Sequence, residues 1–227
     1  SLAYEHHLDG YLAAVDALTV QPDEIVVVSD GVKPTVDCTL VTTDEAWNLG
    51  HWYNLGFAAA TSEWVVWTGV DDRLRPTALD QVANCRADVL AFGLQYTTGQ
   101  RWMPGAPTAD QVLAVDENLI PCGSPVRRDL WQGVPFQPEF YPLDDWAFWV
   151  GCAAQGAQFA TTHVIDAATI LANASDTDGD NIQIGPDRIG PAMAYGGTNV
   201  TPTDAFFVLE EISGGDKEKS IRMVHFG

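Results

Sequence analysis

Apolar residues recur at two different spacings along the first two thirds of the chain. Leu8, Leu12, Val15 and Leu18 follow the spacing of one helix face, which predicts a helix that ends near Gln21. Short runs rich in β-branched residues predict buried strands. These strands are predicted at 24–29, 38–43, 63–68, 88–95 and 158–166. Helical spacing between them predicts helices at 45–60, at 76–84 and twice within 126–156.

Strands that alternate with helices over short loops predict an α/β fold. We expect a Rossmann-like, mostly parallel sheet with helices on both faces. The stretch 97–107 is rich in Gly, Pro and Thr and predicts a loop. After about residue 168 the periodicity is lost, and Asp, Gly, Asn and Pro dominate 176–197. The chain is therefore expected to divide into a core at 1–168 and an irregular appendage at 169–227.

The charge balance changes which partners are expected. The 227 residues are 46% hydrophobic, enough for a buried core, and carry a formal net charge of −20. This field repels phosphate backbones and anionic lipid surfaces, so neither nucleic acid nor a membrane surface is an expected partner. A nucleotide diphosphate would need a cation to screen it. The alternative interpretation of the acidity is solubility, for example in a salty cytoplasm.

The cysteine pattern and the hydropathy of the chain indicate the cellular compartment in which the protein is expected. The four cysteines form no CxxC pair and no zinc spacing, which predicts reduced thiols and a cytoplasmic protein. No apolar run approaches the length of a membrane span, and no signal peptide is recognisable, so no integral membrane segment is expected.

Carboxylates follow two of the predicted strands at their carboxyl ends, where open α/β sheets bind ligands. Asp30 follows the first strand, and Asp71 and Asp72 follow the third. Either position alone is better explained as a turn former. Together they favour a site, and their hard oxygen atoms suit Mg²⁺ or Mn²⁺ bound to a diphosphate.

A second carboxylate pair, Asp144 and Asp145, precedes an aromatic helix. As structure, the pair would cap the helix and interact with its dipole. As chemistry, one member would act as a general base toward an acceptor hydroxyl. Trp146 and Trp149 would then stack on sugar rings, although Trp residues at helical spacing equally indicate core packing.

Five stretches in order carry a resemblance to a known family. They are VVVSDG at 26–31, NLGFAAA at 54–60, WVVWTGVDDRLRP at 64–76, GSPVRR at 123–128 and LDDW at 143–146. This order resembles family 2 glycosyltransferases of the GT-A fold over roughly 1–166. The resemblance implies transfer of a sugar from a nucleotide-sugar donor to an acceptor hydroxyl, with Mn²⁺ or Mg²⁺ as cofactor.

On the donor side, the resemblance implies that Asp30 contacts the nucleoside and that Asp71 is the last aspartate of a DxD motif and holds the metal. Asn54 and Asp72 fall in motifs expected to contact the nucleotide sugar. His163 would complete the metal site.

On the acceptor side, the resemblance places Gly123 and Ser124 in the acceptor loop. Asp145 matches the catalytic base of the xED motif, with Asp144 in place of its glutamate.

Two positions depart from the family pattern. Gly69 stands where the first aspartate of DxD is expected. The family's opening strand, an apolar run, has no counterpart before Ser1, so the tail 221–226 is predicted to supply a strand to the sheet.

The C-terminal part resembles a different family. The stretches 184–197, 201–206 and 215–219 resemble a piece of the hydantoinase/oxoprolinase family, without a complete active site, so no such activity is implied. Asp176, Asp178, Asp180 and Asp187 also fit ligand positions of a calcium loop, but a flexible acidic loop explains them better, since Asn181 replaces the usual glycine and Asp187 the usual glutamate.

The leading hypothesis is therefore a metal-dependent, inverting glycosyltransferase. The first alternative is an inactive nucleotide-sugar-binding domain with the same fold, and the second is a calcium-stabilised structural domain.

Overall fold

The structure is a computed structural model of the chain. It describes residues 5–31, 33–44, 48–96, 101–114, 117–140, 143–162, 170–172, 205–208, 211–213, 217–219 and 223–226. The six α-helices among these residues are α1 Glu5–Asp16, α2 Leu49–Ala59, α3 Ala78–Val82, α4 Ala109–Ala114, α5 Arg128–Gly133 and α6 Asp144–Ala154. A 3₁₀ turn, Pro138–Phe140, lies between α5 and α6.

The strands in the first two thirds of the chain are short. They are β1 Val26–Ser29, β2 Thr39–Thr42, β3 Trp64–Val65, β4 Arg73–Leu74, β5 Val89–Ala91, β6 Leu94–Tyr96, β7 Arg101–Trp102, β8 Val126–Arg127 and β9 Phe159–Thr161. Those nearer the C terminus are β10 Ile170–Ala172, β11 Ala205–Val208, β12 Glu211–Ser213, β13 Lys217–Lys219 and β14 Met223–Phe226.

Two four-stranded sheets and a two-stranded sheet form the centre of the molecule. Their strand orders are β3-β8-β5-β9, β4-β10-β6-β7 and β1-β2. In β5 the side chains alternate: Val89 and Ala91 join one core cluster, whereas Leu90 joins a second cluster on the opposite face. Helices therefore pack on both faces of the sheet, as the sequence predicts.

The first cluster is built from aromatic rings carried by α2, α6 and the segment after β3. Phe57 packs at ring-centroid distances of 5.4 Å from both Trp67 and Phe136, and Phe136 stacks on Phe148 at 4.2 Å. Edge-to-face and stacked pairs of this kind stabilise a core beyond the area that they bury. This cluster is the rigid support beneath the candidate site.

The second cluster lies beneath α1 and α3. Val15 and Leu18, from α1 and the turn after it, pack against Leu74 and Ala78. The helix ends before the predicted Gln21, because the Gln21 side chain donates hydrogen bonds to the carbonyls that end the helix, with 2.8 Å to Leu18 O.

Most predicted elements are confirmed, with shifted ends. Asn48, for example, caps α2 by accepting a hydrogen bond from His51 N at 3.1 Å, which places the helix start after the predicted residue 45. The strand predicted at 88–95 is divided into β5 and β6. The stretch 97–107, predicted as a loop, contains β7.

The prediction of a mostly parallel sheet is wrong for the strands described. Only the pairs β1–β2, β5–β9 and β6–β10 are parallel among them, and the sheets are mixed. The reason is that β8 enters antiparallel between β3 and β5. A two-residue strand is too short to produce a recognisable sequence period.

The prediction for the tail also needs correction. Met223–Phe226 pairs antiparallel with Ala205–Val208 in a separate two-stranded sheet and does not extend the central sheet. Beyond the predicted boundary at 168, however, β10 pairs with β4 and β6. Within the described residues, none of the helices has both the length and the apolar character that a membrane span requires.

Candidate active site

A cavity of about 760 Å³ lies between β1 and β3. Among the described strands, β1 pairs only with β2 and β3 only with β8, so the facing edges of the two sheets bound this cavity. Valine and tryptophan side chains of β1, β3 and the segment after β3 line its walls. Seven acidic residues are among those that line it, and four of these are the predicted pairs Asp71, Asp72, Asp144 and Asp145. The structure thus places the two predicted acidic pairs along one cavity.

The acidic pair after β3 lies in a tight turn. Asp72 N donates to Gly69 O at 3.2 Å, and Arg73 Nη1 donates to the carbonyls of Val70 and Asp72, each at 2.6 Å. The Asp71 carboxylate lies where a Cβ on residue 69 would stand. Glycine at this position, which departs from the DxD pattern, therefore makes room for the Asp71 side chain.

Asp71 and Asp72 could bind a divalent metal only if the substrate and water supplied its other ligands. Among the described residues, no group of three His, Cys, Asp or Glu side chains could hold a metal ion. Mg²⁺ commonly uses one or two carboxylates and takes its other ligands from substrate phosphates and water. Asp71 and Asp72 suit that arrangement. His163, the predicted further ligand, lies outside the described residues.

Asp144 is the most deeply buried carboxylate of the cavity. Its residue is 3% exposed, and its Oδ2 atom is buried without a hydrogen-bond partner within the described part of the chain. Gly50 on α2 permits this position, since a Cβ there would lie 3.1 Å from Oδ2. Desolvation raises the pKa of Asp144 to about 6.

Asp145 accepts two hydrogen bonds from donors of the protein. Trp146 N donates to Oδ1 at 2.7 Å, and Asn118 Nδ2 donates to Oδ2 at 3.0 Å. Desolvation, followed by the neighbouring Asp144 charge, raises the pKa of Asp145 to about 7 despite these donors. A carboxylate with this pKa can exchange a proton near neutral pH.

Tyr53 and Cys122 adjoin the two aspartates, and the sequence analysis missed both. The Tyr53 hydroxyl lies 3.6 Å from Cys122 Sγ, and both residues line the cavity. Desolvation and the charges of Asp144 and Asp145 raise the pKa of both groups, so both stay neutral. A neutral phenol in a region of negative charge is a hydrogen-bond donor for a ligand. Nothing in the local sequence indicates this, because α2 and the loop at 122 meet only in the folded chain.

Asp30 does not line the cavity between β1 and β3. It lines a second cavity of about 260 Å³, together with Gly31, Thr42, Thr43 and Asp44. The carboxyl ends of the parallel strands β1 and β2 meet there, whereas the predicted neighbour of Asp30 is the strand before Asp71. Asp30 therefore lines a different cavity from the two acidic pairs.

The Asn54 side chain is directed into the protein. Its Oδ1 accepts hydrogen bonds from Trp131 Nε1 at 2.8 Å and Phe136 N at 2.9 Å, and its Nδ2 donates to Phe136 O at 2.7 Å. These contacts join α2 to the segment after α5 and explain this asparagine without a ligand.

The predicted acceptor loop, Gly123 and Ser124, is held in place by contacts inside the protein. Ser124 is fully buried, and its Oγ accepts a hydrogen bond from Phe92 N at 3.1 Å. Gly123 has φ +81°, a left-handed conformation that favours glycine. This conformation turns the chain between Cys122, which lines the cavity, and Ser124, which faces the core.

The two tryptophans of α6 differ in position. Trp149 is fully buried, with its ring centroid 5.2 Å from that of Trp67, so it is a core residue and cannot stack on a sugar. Trp146 is half-buried and packs against the same cluster. The calcium-loop residues and most of the hydantoinase-like stretches lie outside the described residues.

Comparison with known proteins bears on the fold. No family model and no curated protein sequence matches the chain significantly. The structure is similar to that of S. aureus TarS 1–349, with a TM-score of 0.61 and 16% identity over 74% of this chain and 57% of that one. TarS 1–349 in complex with UDP matches with a TM-score of 0.59, at 17% identity over 75% of this chain and 57% of that one. The complex with UDP-GlcNAc gives 0.61, at 16% identity over 74% and 55%.

The chain thus spans a little over half the length of these TarS chains. At such low identity the likeness concerns the fold alone. It supports the α/β fold that the sequence predicts. It gives no support to the narrower family 2 assignment or to the hydantoinase resemblance.

Proposed function

We propose that this chain binds a nucleotide sugar and, with a divalent metal, transfers the sugar to an acceptor hydroxyl. The observation that carries the proposal is the shared cavity of Asp71, Asp72, Asp144 and Asp145. The fold adds support, since it resembles that of TarS, whose structures hold UDP and UDP-GlcNAc. A UDP-sugar is accordingly the first donor to test.

Asp71 and Asp72 form the donor side. Together they would hold Mg²⁺ or Mn²⁺, which when bound neutralises the diphosphate and stabilises it as a leaving group. The turn held by Arg73 keeps both carboxylates at the cavity without rearrangement. A cation is needed here because a chain with a net charge of −20 would otherwise repel the donor.

Asp145 is the general base in this proposal. Its pKa of about 7 leaves a large ionised fraction at neutral pH and still favours proton uptake. The acceptor oxygen forms a bond to the anomeric carbon while its proton passes to Asp145. The bond from that carbon to the diphosphate oxygen breaks, and its electron pair leaves with the nucleotide. Attack opposite the leaving group inverts the configuration.

Asp144 is assigned to acceptor binding beside the base. Its Oδ2 atom has no partner in the described part of the chain, and a buried polar atom in that state is costly. Asp144 lines the cavity beside Asp145, where its charge also raises the pKa of the base. Tyr53 lines the same cavity and can donate a hydrogen bond to a ligand there.

The test is a transfer and hydrolysis assay with UDP-GlcNAc and Mn²⁺, beside calorimetry of UDP-GlcNAc binding. Asp71→Asn is expected to weaken metal-dependent donor binding, because a carboxylate is lost. Asp145→Asn is expected to keep donor binding and to lower turnover by about 10²–10⁴-fold, the usual contribution of a general base. Asp110→Asn, an exposed change on α4, is the matched control and should behave as wild type.

Full turnover in Asp145→Asn would show that Asp145 is not the general base. If the donor binds equally strongly with Mn²⁺ and with a chelator, the metal has no role in donor binding. Binding by the wild type without hydrolysis or transfer would favour the nucleotide-sugar-binding domain over the enzyme.

A further inference from the structure

Asn118 lies in the segment between α4 and β8 and joins this segment to the start of α6. Its Nδ2 donates to Asp145 Oδ2 at 3.0 Å, and its Oδ1 accepts a hydrogen bond from Ile120 N at 3.1 Å. The residue is half-buried and was not singled out by the sequence analysis. One side chain therefore contacts both the candidate base and the segment that leads to Cys122.

The two contacts determine the orientation of the Asn118 amide. A backbone N–H can only donate, so the atom that faces Ile120 N must be the carbonyl oxygen. The NH₂ group is then directed at Asp145, and Oδ2 of Asp145 must accept. With Trp146 N on Oδ1, both oxygens of Asp145 carry a donor from the protein.

The other groups that face Asp145 oppose its ionisation. They are the desolvating surroundings and the charge of Asp144 on the same helix. Tyr53 on α2 and Cys122 in the loop stay neutral and bring no positive charge. Asn118 is the side chain that lowers the pKa of Asp145 in these surroundings. The donor at Asn118 thus favours the charged form that a general base requires.

We propose that Asn118 is a positioning residue that orients the Asp145 carboxylate and maintains it in the ionised form for catalysis. This inference rests on the proposed function, since it assigns a role toward the same base. Asn118 does not touch the substrate: it acts through Asp145. Its second bond couples the orientation of Asp145 to the loop that carries Cys122 and Gly123.

A merely structural role predicts a different result in one variant. Asn118→Asp retains an oxygen to accept from Ile120 N, so the loop contact is kept, but the donor to Asp145 is replaced by a negative charge. The new charge by itself opposes the ionisation of Asp145, so this variant is compared with Asn118→Ala, which removes the donor and adds no charge. If Asn118 only fastens the loop, Asn118→Ala should leave the titration of Asp145 unchanged.

The first measurement is the titration of the Asp145 carboxyl carbon by ¹³C NMR, assigned by its loss in Asp145→Asn. In Asn118→Asp the midpoint should rise by about one pH unit or more, a tenfold smaller ionised fraction on the acidic side. The apparent pKa of the acidic limb of the kcat/KM profile should rise by the same amount. The Kd for UDP-GlcNAc in the presence of Mn²⁺ should stay within about twofold of the wild-type value. Asn84→Asp makes the same change at an exposed position on the end of α3, and should move neither quantity.

An unchanged or lower midpoint in Asn118→Asp would overturn the inference, as would an unchanged acidic limb. Asn118→Ala adds a second test, since it removes the donor without adding a charge and should shift the midpoint upward by less. The outcome is separable from that of the proposed function. If the wild type is inactive but the midpoint still shifts in Asn118→Asp, the transferase proposal is rejected. The coupling of Asn118 to Asp145 is then still supported.

Discussion

Replacing Asp145 by asparagine removes a carboxyl group whose ionisation is opposed by its surroundings. In the folded protein the pKa of this group is raised from 3.8 to about 7. The folded chain therefore binds the proton more tightly than the unfolded chain does. Between about pH 4 and pH 7 the contribution of Asp145 to the stability of the wild type falls as the pH rises, because the native state has to release that proton.

The size of the effect follows from the shift. Each pKa unit corresponds to 1.36 kcal/mol, so a shift of about three units corresponds to about 4 kcal/mol of unfolding free energy. This value is an upper bound, since the Asp144 charge supplies part of the shift and titrates in the same range. The asparagine side chain of the variant cannot ionise and lacks this component. The variant should gain stability relative to wild type as the pH rises from about 4 to about 7.

Urea unfolding followed by the fluorescence of the eight tryptophans measures this difference. The quantity to compare is the change in unfolding free energy with pH, not its value at one pH. In the variant, the asparagine NH₂ group faces one of the two donors that bind residue 145. This mismatch lowers the unfolding free energy by about 1–3 kcal/mol at every pH. Asp110→Asn, an exposed change, should follow the wild-type curve. Parallel curves for wild type and Asp145→Asn would refute the desolvation of this carboxylate, and with it the general-base argument.

Two further substitutions test the support beneath the site. Asn54→Ala should lower the unfolding free energy by about 2–3 kcal/mol, because Trp131 Nε1 and Phe136 N lose their acceptor. A loss below about 1 kcal/mol in urea unfolding would contradict those contacts. Gly151→Ala should destabilise by about 1 kcal/mol in spite of the better helix propensity of alanine, since the new Cβ would meet the Val134 side chain. Combining it with Val134→Ala should restore part of the melting temperature, and a further loss instead would contradict the clash.

The elements that the sequence predicted correctly depend on local spacing. The period of α1 and the β-branched run of β1 are legible because each element buries one set of neighbours along its own length. The acidic pairs at 71–72 and 144–145 were found for a similar reason. They follow or precede such elements directly, where the chain leaves the core and can face a ligand.

Tertiary structure alone decided which way the side chains point. Asn54, Ser124 and Trp149 have the residue types expected of a site, yet the first two make hydrogen bonds inside the protein and the third is core. Asp30 follows a strand as predicted, but it lines a different cavity from Asp145. Each outcome depends on partners far away in sequence, so no local pattern encodes it. Burial by those partners also raises the pKa of Asp145, because desolvation is a property of the folded surroundings and not of the residue.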